Sequence, residues 1–586
     1  MRRTATCLLL GLLWTVQVLA QGSVAWKEWG QSPFAEAKRL GKPVLVDAEA
    51  TWCHWCHVME ARTYGDPVVA GVINNAIVAI KADIDRHPDA QELYADIGWP
   101  GTTIYAPDGR VLWRHRGYVP KEDLLPILHR VIQEAKSEVL TPLQEEASSP
   151  SETAPAGDLL RFARTEVDGT FDEDFGGWGE QKYPIAMNLE ELLRRGDTGA
   201  RFRALYTLSQ QRAITDPVWG GLFQYSAGPD WHAVHFEKLA TLQAGYLENL
   251  ADASRATGDG DWRRDAERVV GFLRRFLAHP DGGWSATVDA DLGGHGAGKP
   301  RLLGQDYYAL DSRARLDQGL PRTDTRRYAQ VQGLLIAAYA RLSGSLEDRR
   351  LLPEAQAALA FAEARLRHGE GYRHAEGQEG LYLQDQVAMF KGLLCLFEAT
   401  GDEALLHRAQ QLAAFLDARF RTPDGLYLLR ADAGELPVAG RRPVDDNLAL
   451  ARTFLRLEAM TGETVWRERA QVIADRLCTQ TGLENQGRWL GEAILLLAEL
   501  KDELPHLVVV GDPQDERTRA LLKAGRHAWI PGAVLLRHDP SRPTPLNPEL
   551  SFPVLAEPAA FLCGKGTCSA PLKTPEALAM EARRRL

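Results

Sequence analysis

The chain has 586 residues, too many for one hydrophobic core; at about 100–200 residues per domain it divides into three or four units. Its composition is that of an ordinary soluble protein, 45% hydrophobic and 25% charged. A formal net charge of -11 without a long basic run excludes a nucleic-acid partner.

The N-terminus carries Arg2 and Arg3, an apolar stretch from Cys7 to Leu13 with Trp14, and Val18-Leu19-Ala20 as a small-residue cleavage site. This pattern predicts a cleavable signal peptide over 1–20 and a secreted or periplasmic mature chain. The apolar stretch is shorter than the ~20 residues of a membrane span, so no stable span is expected after cleavage. Six cysteines then remain: Cys53, Cys56, Cys395, Cys478, Cys563 and Cys568. Two close pairs and two singles are too few for a disulfide scaffold and point to specific roles for the pairs.

Pro43 to Ala48 reads as a buried strand, and the segment after Cys53 has helical character. Ile77 to Asp83 is a second strand. Thr102 to Tyr105 and Val111 to Arg114 flank the turn signal Pro107-Asp108-Gly109, and Lys121 to Glu138 is an amphipathic helix. Interleaved strands and helices make 21–140 a small α/β domain. Its chemistry sits in Cys53-His54-Trp55-Cys56, two thiols directly after a strand and at the start of a helix. Unpaired N–H groups and a partial positive charge at a helix N-terminus favour a thiolate. Cys53 is therefore the expected nucleophile and Cys56, one turn on, the resolving thiol. Asp47 on the incoming strand and Lys81 on the next supply a carboxylate and an ammonium beneath the dithiol. Trp99-Pro100 is placed for a cis peptide bond opposite it.

A linker is expected over 141–157. From 158 to 500 the sequence turns rich in alanine, leucine and arginine with helical periodicity, as in Leu239 to Thr257, Tyr328 to Leu342, Leu352 to Arg367 and Ala404 to Phe420. Glycine-aromatic loops recur between helices: Gly176-Gly177-Trp178, Gly220-Gly221-Leu222-Phe223, Gly282-Gly283-Trp284 and Gly425-Leu426-Tyr427. Helical pairs of this number and length suit an (α/α)6 six-hairpin toroid. Over 501–586 strands reappear at His506 to Val510 and Ala533 to Leu536. Cys563 and Cys568 fall in a glycine-rich loop before a final helix from Pro575.

Asp47, Trp52, Cys53, Cys56, Lys81 and Pro100 follow the thioredoxin pattern in order and spacing. The longer string from Trp52 to Glu60 resembles the thioredoxin-like domain of the spermatogenesis-associated protein 20 family. The resemblance continues through Gln181-Lys182-Tyr183-Pro184, His235-Phe236-Glu237-Lys238, Asp289-Ala290-Asp291 and Cys563 to Pro571. It implies a thioredoxin-like domain followed by a toroid like those of glycosidases and sugar epimerases. The chain departs from the family pattern at Gln384-Asp385-Gln386, where paired aspartates are expected, and is shorter between Asp291 and Tyr328.

The expected function is thiol–disulfide exchange at Cys53 and Cys56, assisted by Asp47, Lys81 and Pro100, with protein or small-molecule thiols and disulfides as partners. Cys563 and Cys568 are candidates for a second disulfide, structural or redox-active, with their connectivity open. An alternative places carbohydrate chemistry in the toroid, with His235, Glu237, Asp289, Asp291 and Asp385 converging on the central funnel. Another alternative is a non-catalytic scaffold. Cys53-His54-Trp55-Cys56-His57 also matches a c-type haem attachment pattern, and the four paired cysteines offer a zinc tetrathiolate. The reading adopted requires neither cofactor nor metal. Cys395 and Cys478, on apolar helical stretches, are expected to be buried small hydrophobes.

Overall fold

The computed structural model describes residues 23–137, 155–293, 300–432, 438, 440–541, 546–553 and 555–585. The expected signal peptide and most of the expected linker lie outside the described residues.

The first unit contains strands β1 (Lys27–Glu28), β2 (Val44–Glu49), β3 (Val78–Asp83), β4 (Gly101–Tyr105) and β5 (Val111–Arg116). They form one sheet in the order β1-β3-β2-β4-β5. Strand β3 runs parallel to β1 and β2, while β4 is antiparallel to β2 and β5. Helices α1 (Gln31–Leu40), α2 (His54–Met59, extended by a π-helical turn at Glu60–Tyr64), α3 (Pro67–Ala76), α4 (Pro88–Tyr94) and α5 (Lys121–Ser137) cover its two faces. This is a thioredoxin-like domain. The sheet is buried on both sides, so its central strands read as apolar runs and side chains alternate between faces. Val44, Val46 and Ala48 join one core cluster, whereas Leu45 joins the other, with Met59, Tyr64 and Leu128. By the same alternation, Asp47 and its cross-strand partner Lys81 lie on the second face, the one α2 covers.

The second unit contains α6 (Ala156–Gly169), α7 (Ala186–Arg195), α8 (Thr198–Gln210), α9 (Ala240–Thr257), α10 (Gly260–Phe272), α11 (Ala329–Leu342), α12 (Leu351–Phe361), α13 (Leu383–Thr400), α14 (Glu403–Arg419), α15 (Val444–Thr461), α16 (Val465–Leu477) and α17 (Gly491–Lys501). Helices α7, α9, α11, α13, α15 and α17 form an inner ring that closes α17 onto α7. Each of α8, α10, α12, α14 and α16 packs outside the inner helix before it, and α6 closes the toroid by packing on α17. Inner helices such as α13 are buried almost all round, whereas the outer α10 buries one stripe, Trp262, Ala266, Val269 and Val270.

A repeated device ties the glycine-aromatic loops to the ring. The fourth residue of α9, α11, α13 and α15 is an amide, Gln243, Gln332, Gln386 or Asn447, and each is fully buried. Each side chain accepts from one loop N–H and donates to the same residue's carbonyl: Gln243 to Leu222, Gln332 to Trp284, Gln386 to Tyr372 and Asn447 to Tyr427. Gln386, a departure from the family pattern, is thus a clamp. The loops must run close to their helices: a Cβ on Gly220 would lie 2.2 Å from the Arg268 carbonyl oxygen, and its φ of 75° favours glycine as well. Replacing Gln332 with leucine strands a buried N–H and a buried carbonyl, so urea denaturation should show a loss of about 2–4 kcal/mol.

The third unit comprises β6 (His506–Val510), α18 (Glu516–His527), β7 (Val534–His538), β8 (Ala559–Gly564), β9 (Thr567–Cys568) and α19 (Pro575–Arg584), with sheet order β7-β6-β8-β9. It sits on the C-terminal ends of the inner helices. Arg526 donates to the Ala399 carbonyl at 2.7 Å, and His506 to that of Ala459 at 2.7 Å. Here one expectation is corrected. Cys563 and Cys568 do not occupy a flexible loop; they are directly paired across the β8–β9 hairpin and joined as a disulfide, with Cα atoms 4.0 Å apart. Cys395 and Cys478 are buried and unpaired with other cysteines.

Candidate active site

Cys53 is the N-cap of α2, its backbone extended and its Sγ accepting the Cys56 N–H at 3.2 Å. The two cysteines are joined as a disulfide, and Trp99-Pro100 is cis. On β2, Asp47 is 3% exposed, and its Oδ1 has no hydrogen-bond partner among the described residues. Burial pushes its carboxyl up to about 8, although Lys81 works in the other direction. Lys81 is not bonded to Asp47. Its ammonium reaches Glu60 at 2.5 Å and Glu49 at 3.4 Å. Burial disfavours that ammonium, but Glu49, Asp47 and Glu60 together hold it above the usual lysine range. Glu49 and Glu60 are therefore parts of this site that spacing alone did not single out.

The dithiol faces the toroid. Its helix rests against the N-terminal mouth of the inner ring, where loops bring four of the five candidate toroid residues together. The His54 ring, between the cysteines, meets Asp291 with Nδ1 to Oδ2 at 2.5 Å. The His54 N–H points to Glu237 Oε1 at 3.5 Å, and His57 lies 3.8 Å from Asp289. His235 lies 3.9 Å from Glu237 and stacks on Tyr225. Asp385, expected in the same cluster, sits apart, accepting from His374 at 3.0 Å and from the Gln330 N–H. These residues do not converge on the central funnel. The funnel instead holds a cavity of about 210 Å³ lined by ion-paired side chains, among them Glu190, Lys391, Arg452 and Glu492.

Further contacts seat the thioredoxin-like unit. Trp52 donates to Asp85, whose carbonyl accepts from His374 Nε2 at 2.6 Å. Arg326 pairs with Asp83, and Arg430 with the fully buried Asp89. Leu239, Leu429 and Val438 of the toroid pack into the same apolar cluster as Cys53 and Cys56, which are 5% and 3% exposed. The two cysteine pairs lie at opposite ends of the inner helices, so the four thiols do not meet as a shared zinc tetrathiolate requires.

Electrostatics at the seam share one sign. Burial pushes Glu237 up to about 7 and Asp289 up to about 9. The Asp291 hydrogen bond holds His54 above its ordinary value against burial. Burial also opposes the charged form of His374, yet Asp385 and the Asp85 carbonyl hold it high. Its ring faces a carboxylate with one nitrogen and a carbonyl with the other, so both nitrogens donate. Two histidines go the other way: His235 is pushed down to about 4 by burial and by His54, and His87 to about 4, chiefly by burial. From about pH 6.5 to 9 the docked state therefore binds more protons than the separated one, and docking weakens as pH rises. His235 and His87 oppose this only between about 4 and 6.5. Hydrogen exchange of residues 83–89 in the full chain should show protection falling between pH 6.5 and about 8.5.

Known proteins resemble the first unit and, at lower identity, the chain as a whole. The family model Thioredox_DsbH, described as a protein of unknown function, DUF255, matches residues 15–149. A thioredoxin of Alicyclobacillus acidocaldarius is 31% identical over 106 residues, 17% of this chain and 91% of that protein. Cellobiose 2-epimerase from Spirochaeta thermophila superposes with a TM-score of 0.44 at 13% identity, covering 59% of this chain and 96% of that one. Human spermatogenesis-associated protein 20 is 24% identical over 708 aligned positions, covering 95% of this chain and 89% of the human protein. The chain is thus similar to spermatogenesis-associated protein 20 along nearly its whole length, and its first unit matches the Thioredox_DsbH model.

Proposed function

We propose that this protein is an exported thiol–disulfide oxidoreductase whose exchange site is the Cys53–Cys56 pair. The observation that carries the reading is a dithiol at the N-terminus of α2, beside a thioredoxin-like sheet whose central strands carry the buried Asp47 and the half-buried Lys81. In the reducing direction, the Cys53 thiolate attacks one sulfur of a substrate disulfide. A Cys53–substrate S–S bond forms, and the first substrate thiolate leaves and takes up a proton. Cys56 then gives up its proton, with Asp47 as the neighbouring acceptor, and attacks Cys53. The second substrate thiolate leaves; the substrate has gained two electrons, and the protein holds its disulfide. The oxidising direction runs through the same bonds in reverse.

Export rests on the sequence of residues 1–20 and is checked by the mass of protein recovered from the extracytoplasmic fraction, which should begin at Gln21. Exchange is checked with purified full-length protein and a small aromatic disulfide. Turnover that requires Cys53 supports the reading; no release of the aromatic thiol from the reduced protein defeats it.

A further inference from the structure

We propose that the exchange site is composite: Asp291, contributed by the toroid, holds the imidazole of His54 between the two cysteines and so sets how readily Cys53 ionises. The inference rests on the oxidoreductase reading and adds to it a positioning residue 237 positions away in sequence.

The geometry that carries it begins with Asp291 itself, which is 2% exposed and fixed at both oxygens. Oδ1 accepts the Gly304 N–H at 2.8 Å, and Oδ2 meets His54 Nδ1 at 2.5 Å. Its backbone N–H donates to Asp289 Oδ1 at 3.0 Å, which locks the loop. A carboxylate so fixed takes a proton-bearing Nδ1 and no other form. His54 follows the N-cap Cys53 directly, so a cation on its ring is carried by the residue next to the one whose sulfur must become a thiolate. Other charged groups also face the ring. Glu237 approaches its backbone N–H, His235 stands on the neighbouring toroid loop, and Arg62 follows α2 on its own element. Glu237 favours the imidazolium and Arg62 opposes it, while His235 is pushed toward its neutral form. Asp291 is the group in hydrogen-bond contact with the ring.

Asp291→Asn keeps the acceptor for Gly304 and keeps the side-chain volume, but it presents an N–H to His54 Nδ1. The ring must then accept, and its cationic form loses its partner. The test is the rate of Cys53 alkylation by iodoacetamide against pH in reduced full-length protein, read by peptide mass spectrometry. His54 adds an inflection to that profile, above pH 6.5 in the unaltered chain. Asp291→Asn should move it down by about one pH unit or more. His54→Ala should abolish it, and Asp291→Asn should then have no further effect in the His54→Ala background. Identical profiles for the unaltered chain and Asp291→Asn would overturn the proposal. So would an effect of Asp291→Asn that persists without His54, because that is the mark of a merely structural role. Failure of the oxidoreductase reading looks different: the unaltered protein would show no exchange with a disulfide at all.

Discussion

Cys56→Ser should convert the protein from a turnover catalyst into a trap. Cys53 sits at the N-cap, where the helix N-terminus stabilises its thiolate, so its attack on a disulfide survives the substitution. The resolving attack cannot occur, and mixed disulfides through Cys53 should accumulate on non-reducing gels. Exchange with a model disulfide should fall by at least about 10²-fold in steady state while one equivalent still reacts. Cys53→Ser should lose both the burst and the trapped species. Equal trapping by the two variants would reverse the assigned roles, and trapping by neither would remove the pair from the chemistry.

The second large effect concerns stability. Asp216 is fully buried and accepts from two buried cations, Lys238 and Arg315, each at 2.7 Å. Its other oxygen accepts the Val218 N–H. Lys238 is pushed down to about 8 by burial, with Asp216 acting against that shift, and it lies among the Phe223, Phe272 and Tyr308 rings. Asp216→Ala leaves two cations without a counter-charge and should destabilise the toroid by about 3–5 kcal/mol in urea titrations. Lys238→Met leaves a one-to-one pair of Asp216 with Arg315 and should cost less than half as much. A Lys238→Met variant as unstable as Asp216→Ala would show that the cost lies in packing and not in the unpaired charge.

This triad shows what kind of information the sequence holds. Lys182 and Lys238, both from motifs that suggest a site, are buried partners of Asp172 and Asp216 in the glycine loops that precede them. Motif regularity here reflects the folding of hairpins, and single-chain spacing does not separate that from chemistry. The thioredoxin-like strands were legible because a sheet buried on both faces produces short apolar runs, and the dithiol because its spacing is local. The toroid was legible from helical period and recurring glycine loops, yet the amide clamps at Gln243, Gln332, Gln386 and Asn447 were not. A lone amide in a helix carries no signal until its loop partner is known. The Asp289-Ala290-Asp291 motif was recognisable, but not its target. A contact between His54 and Asp291 depends on how two units dock, and no local pattern encodes docking. The same holds for Asp385, whose acidic character suggested the funnel and whose actual partner is His374. Cys563 and Cys568 were misplaced in a loop because glycine-rich text conceals a two-residue strand.

Docking also changes what the dithiol means. Glu237, Asp289 and Asp291 face His54 and His57, so the toroid mouth is occupied by the thioredoxin-like unit, and the carboxylates that a carbohydrate reading would use are engaged there. The two units meet at this seam. Titration of the dithiol in the full-length chain therefore tests the central claim most directly. The protein is equilibrated in glutathione buffers of stepped potential, and free thiols at Cys53, Cys56, Cys563 and Cys568 are counted by alkylation and peptide mass spectrometry. One reversible two-electron transition of Cys53–Cys56 is expected, at a potential of roughly -120 to -270 mV. A pair that stays oxidised, or stays reduced, across that whole range would contradict it.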